Sequence, residues 1–149
     1  MTAGASNLAE SYYTRSSHKV DEARAQLGRI NYPESISASQ EAIEFSVKAI
    51  FLYLGESHPK SHEFTDDQFM KIIEKMPSEL KGLHNFPRLL LITRFWSQFY
   101  VIAKYGNQKL GIGPENLFKK DEAQLALGHA EECHSAAFGV MYWLNTHKS

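Results

Sequence analysis

The chain of 149 residues carries 16 Lys and Arg against 17 Asp and Glu, with 43% hydrophobic residues and one cysteine. That length suits a single domain over residues 1–149, large enough for a core without metal or disulfide staples. A formal net charge of −1 excludes a protein held to nucleic acid by whole-molecule attraction, and the lone Cys133 excludes an intramolecular disulfide.

The opening stretch, MTAGASNLAESYYTRSS, has neither the basic start nor the apolar run of a secretory signal, so a cytoplasmic location is expected. From about residue 6 to 30, Ala9, Tyr13, Ser16, Val20, Ala23, Leu27 and Ile30 recur at helical spacing, with Arg15, Lys19, Glu22, Gln26 and Arg29 opposite. This is the pattern of an amphipathic outer helix. The second helix starts near Pro33, a favoured first-turn residue, and stops at Gly55. It is apolar on two sides: Ile36, Ile43, Val47, Ile50 and Leu54 form one stripe, and Ala38, Ala42, Phe45, Ala49 and Leu52 another. Between them runs a polar ridge of Ser37, Glu41, Glu44 and Lys48.

A short third helix follows the capping box Thr65 to Gln68 and ends near Met76, before Pro77. The fourth starts at Asn85, with Pro87 in its first turn, and runs to Gly106. It is apolar on most sides except the line Thr93, Ser97, Tyr100 and Lys104. Its most apolar stretch, 89–103, is too short for a membrane span and contains Arg94, which hydrocarbon would penalise. Phe95, Trp96, Phe99 and Tyr100 are expected mostly in the core. The last helix starts about Asp121; Ala123, Ala130, Ala137 and Leu144 recur every seven residues beside Leu127, His134 and Met141. No segment sustains the alternation of a strand. The expected fold is all-α: an antiparallel up-and-down bundle of four long helices plus one short helix.

Chemical motifs are sparse. Glu131 and His134 have a spacing used by di-iron bundles, but such sites need two copies and further carboxylates, and the chain holds one copy. A core histidine between Leu127 and Met141 is the simpler reading, so no metal site is assigned. His58 and His62 are loop histidines separated by Pro59. Cys133 and His134 are neighbours that point in different directions on a helix, which disfavours a thiolate–imidazole pair. The glycines of KYGNQKLGIGPENLFKK lack the full phosphate-loop fingerprint and a preceding strand, and read as a plain loop. No catalytic residue and no cofactor are expected.

Gln40, Glu44, Lys48, Gly55, Pro59 and His62, with the later pair Lys104–Tyr105 before an alanine-rich final helix, resemble the HEPN family of small helical proteins. The resemblance runs over about residues 5–146, and its specific part lies between 32 and 64. It implies a bundle of four or five helices, commonly a homodimer, linked to nucleotide or RNA binding, or paired with a nucleotidyltransferase in a toxin–antitoxin-like system. Catalytic members carry an Arg followed after four to six residues by His. None of Arg15, Arg24, Arg29, Arg88 or Arg94 has such a partner here, and Arg94 is followed instead by Tyr100. Near neutral pH, tyrosine does not take over a histidine's proton transfer. A binding module without catalysis is therefore expected. Lys48, His62, Arg94, Lys104, Tyr100 and Glu44 are the candidates for a nucleotide- or anion-binding groove, with an i,i+4 ion pair between Glu44 and Lys48 as the simpler alternative. The doubly apolar stretches 33–54 and 86–105 point to a homodimer.

Overall fold

Three long helices frame the molecule. The structure is a computed structural model and describes residues 3–58 and 63–147. Helix α1 spans Ala3–Gly28 and α2 spans Tyr32–Tyr53. Two short helices follow, α3 (Asp66–Lys75) and α4 (Ser78–Lys81), then α5 (Phe86–Ser97) and α6 (Tyr100–Tyr105). After one 3-10 turn at Pro114–Asn116, α7 runs over Lys120–Thr146. Among the described residues no strand forms, only an isolated bridge between Asn107 and Ile112. The all-α expectation holds.

Cross-chain pairs set the directions. Lys19 meets Glu41 and Arg15 lies over Phe45, so α1 and α2 run antiparallel. Helices α5 and α7 are antiparallel as well, since Arg88 meets Glu132 while Trp96 meets His129, and Gln40 ties α2 to α5 at Trp96. Helix α2 is the centre of the bundle. Ile36, Ile43, Val47 and Ile50 are buried on one side, and Ala38, Ala42, Phe45 and Ala49 on the other. Helices α1 and α7 cover part of α2, and α5 and α6 cover the rest. Both apolar faces of α2 are thus satisfied inside one chain, each large aliphatic gaining roughly 1.5–3 kcal/mol from burial.

Small side chains permit the close approach of these helices. Ala9, Ser16 and Ala23 on α1, Ser35 and Ser39 on α2, and Ala123, Ala130 and Ala137 on α7 are all fully buried. The Ser35 hydroxyl donates to the Ala23 carbonyl at 2.8 Å, tying α2 to α1. Helix α1 ends two residues short of the expected boundary. Ile30 adopts φ 65°, a left-handed conformation rare for a β-branched residue, and its side chain is exposed rather than on the apolar stripe.

The capping box at Thr65 and Gln68 is present, and Asn85 caps α5 by accepting the Arg88 N–H at 3.1 Å. The fourth long helix expected over 85–106 is instead broken at Gln98 and Phe99. The Trp96 carbonyl, which would accept from Tyr100 in an unbroken ladder, receives the Gln40 side-chain N–H at 2.8 Å and the Phe99 N–H at 3.0 Å. A side chain inserted into the i→i−4 ladder is a recognised cause of a helix break. The break also spreads the aromatic cluster: Trp96 is buried, Phe99 and Tyr100 are half-buried, and Phe95 is exposed.

Candidate functional site

The polar ridge of α2 and the polar line of α5–α6 face each other across one seam. At its closed end Gln40, Ile43, Glu44, Phe64, Thr93, Trp96, Ser97 and Tyr100 surround a small recess of about 20 Å³, room for about one water-sized group. At its open end Ser37, Glu41 and Lys104 join Lys19, Glu34 and Pro114 around a groove of about 280 Å³. Two helices that are each apolar nearly all round leave their polar stripes where they meet at the surface.

Cations and carboxylates alternate along this seam. Lys48 is 7% exposed, its Nζ lies 2.9 Å from Glu44 Oε2, and the same ammonium sits 5.8 Å from the Tyr12 ring centre. Lys19 bridges Glu22 and Glu41, at 3.0 Å each, and the hydrogen bond to Glu22 is the main cause of its raised pKa. Lys104 donates to the Tyr100 hydroxyl at 2.9 Å, which raises the lysine's pKa, and its ammonium lies 4.2 Å from that ring's centre. Lys48 and Lys19 each sit against a carboxylate, so the seam carries no concentrated positive field.

Of the candidate groove residues, Glu44, Lys48, Tyr100 and Lys104 lie along the seam. Arg94 turns toward α3 and pairs with Asp66 at 2.9 Å on an exposed surface. His62 lies outside the described residues. Two contributors were not among the groove candidates. Arg15 places its guanidinium 4.1 Å from the Phe45 ring centre, next to Lys48, although the periodicity of α1 marks it only as solvent-facing. Gln40 carries the bond that breaks the fourth helix, and its burial at 5% exposure was the missing signal.

The other chemical candidates are structurally engaged. His134 Nε2 and Ser17 Oγ lie 2.7 Å apart, and the imidazole stacks on Tyr13 at 4.9 Å. Glu131 pairs elsewhere, with Arg24 at 2.9 Å. His129 Nδ1 accepts the Trp96 indole N–H at 2.9 Å, and burial holds both imidazoles below the ordinary histidine pKa. Among the described residues no group of three or more His, Cys, Asp and Glu side chains could hold a metal ion. Cys133 is fully buried, and burial pushes its thiol pKa far up, away from nucleophilic use. The glycines of the 106–113 loop serve its turn: Gly106 and Gly111 have φ of 72° and 65°, and a Cβ on Gly106 would collide with the Ile112 carbonyl. Among the described residues no helix is long and apolar enough to cross a membrane.

Comparison with known proteins supports the same architecture. The crystal structure of TT1696 from Thermus thermophilus superposes with a TM-score of 0.64 at 17% identity, covering 89% of this chain and 97% of that one. At that identity the likeness speaks for the fold alone. No curated protein matches the chain. The HEPN domain model matches residues 9–138, a span that includes the central helix, both polar lines and most of the packed final helix, so the chain belongs to the HEPN domain family.

Proposed function

We propose that this HEPN-family chain is a non-catalytic association module, a homodimer joined through the outer face of α5 and α7, with the polar seam as its ligand site. The observation that supports this reading is an apolar patch that the fold leaves uncovered. Leu91, Phe95 and Leu125 are 61%, 38% and 47% exposed, and with Ile92, Arg88 and His129 they line a depression of about 230 Å³. Clustered apolar exposure of this kind marks interaction surfaces. The α5 edge of the patch carries Arg88 and Arg94, and α7 carries Asp121, Glu122 and Glu132. Arg88 and Arg94 are already paired within the chain with Glu132 and Asp66, so a two-fold interface here would rest on the apolar patch, with these neutralised pairs at its rim.

Light scattering at micromolar concentration tests this: the expected mass is that of a dimer, and Leu91→Asp should return it to that of a monomer with unchanged helix content. A monomeric mass for the unaltered chain would overturn the homodimer and direct the same face to a different protein, such as a nucleotidyltransferase partner.

Nucleotide or RNA binding is a second reading, favoured by two cation–aromatic pairs along the seam, Lys104 with Tyr100 and Arg15 with Phe45. It requires an affinity for a short RNA that falls as salt rises and is lost in Lys104→Ala.

A further inference from the structure

The closed end of the seam has an imbalance in its hydrogen bonding. Gln40 is 5% exposed and donates its side-chain N–H to the Trp96 carbonyl at 2.8 Å. That carbonyl can only accept, so the amide orientation is fixed and Oε1 is the end left over. Oε1 is buried and has no hydrogen-bond partner. A buried acceptor left unmatched is costly, and native structures retain few of them.

Three other donors around the recess are already used. Thr93 Oγ1 donates to the Leu90 carbonyl at 2.8 Å and Ser97 Oγ to the Arg94 carbonyl at 3.0 Å. The Trp96 indole N–H is held by His129 at 2.9 Å. What these groups still offer is acceptor capacity: the hydroxyl oxygens of Thr93 and Ser97 together with the Gln40 carbonyl. The Glu44 carboxylate on the same wall is already paired with Lys48 at 2.9 Å, so the recess carries no net charge from it. The apolar walls, Ile43, Phe64 and Trp96, narrow the recess to about 20 Å³, the room of a single water-sized group such as one amino nitrogen.

From this imbalance we infer that the recess at Gln40 is a subsite for an amino group, carried by an aromatic base or as a primary ammonium, whose N–H donors meet Gln40 Oε1 and the adjoining hydroxyl oxygens. The rest of the ligand lies outward over the Tyr100 ring. A site with buried acceptors rejects an analogue that replaces the amino group by a carbonyl, because two acceptors would then face each other. The inference is independent of the α5–α7 interface, since the recess opens on a different seam of the bundle.

The test is a titration of the isotope-labelled full chain with adenosine, inosine and methylammonium, followed by NMR at the Gln40 side-chain amide and the Trp96 indole N–H. The nucleosides carry no phosphate, so the result does not depend on anion binding. At least one amine should shift both signals, with inosine about tenfold weaker than adenosine if the nucleobase is the source. A response to adenosine alone assigns the aromatic amino group; a response to methylammonium alone assigns an alkyl ammonium. Gln40→Leu should abolish the Trp96 shift. Because that change also frees the Trp96 carbonyl, circular dichroism accompanies it, and Ser97→Ala, which keeps the Gln40–Trp96 bond, should weaken the response several-fold. No response to either amine, or one to inosine as large as the stronger amine response, overturns the inference.

Discussion

Gln40 donates its side-chain N–H to the backbone carbonyl of Trp96 at 2.8 Å, and at that point the fourth helix gives way from α5 to α6. One bond therefore joins the central helix to the break that shapes the ligand recess. Replacing Gln40 with Ala should cost about 2 kcal/mol, combining a lost buried hydrogen bond with the cavity left by the side chain. Urea unfolding measures this directly, and a loss of only a few tenths would show that the break holds without Gln40.

The Lys48–Glu44 pair is nearly enclosed, with side chains 8% and 13% exposed. Removing one member leaves a charge with neither water nor its partner, so Glu44→Ala should destabilise the fold by about 3 kcal/mol. Adding Lys48→Met in the same chain should recover most of that loss. If the two changes are simply additive in denaturant unfolding, the pair is not coupled and the ridge is an ordinary polar seam.

Stability should fall as pH falls. Burial is the first cause of the lowered pKa at His84, His129 and His134, with the Arg24 charge adding to the effect at His134 and Asp21 opposing it. The unfolded chain takes up protons at these sites from about pH 6.5 downward, before the fold does. Their contribution to stability is thus complete above about 6.5 and is lost as pH drops through the folded pKa values. The melting temperature followed from pH 7.5 to 5 should show this decline, with a shallower slope in His134→Gln. A melting temperature that rises on acidification would contradict the sign of the effect.

Gly139 is helical, yet alanine there should not give the usual gain in helix propensity. A Cβ at this position would collide with the His84 ring, which packs from the loop before α5 onto α7. Gly139→Ala is expected to destabilise by about 1 kcal/mol or more through overpacking. In a His84→Ala background the same change should stabilise by up to about 1 kcal/mol, the ordinary preference for Ala over Gly. Thermal melts of the four chains in this cycle decide it, and the same sign in both backgrounds would remove His84 as the cause.

Local chemistry made much of the fold legible. The alanines and seven-residue spacing of α7, the Thr65 capping box, Pro33 and Asn85 with Pro87 mark helices by propensity and capping, which act over a few residues. The two apolar faces of α2 similarly identify a helix buried on both sides. The reading of the chemical groups was less complete, because burial and pairing depend on neighbours distant in sequence. Arg15 reads as a solvent-facing residue until α2 brings Phe45 beneath it, and Arg94 reads as a groove cation until α3 brings Asp66 to it.

The sequence by itself determined an all-helical domain, its central helix and the two polar lines, since periodicity and caps are properties of contiguous residues. Only the tertiary structure decided that these lines share one seam, that Lys48 is closed against Glu44, and that Phe95 remains outside the core. It also decided the break of the fourth helix. Residues 86–105 retain helical propensity throughout, and what displaces their ladder is an amide from Gln40, 56 residues earlier in the chain. Such competition for a carbonyl exists only once the two helices have packed, so no local pattern records it.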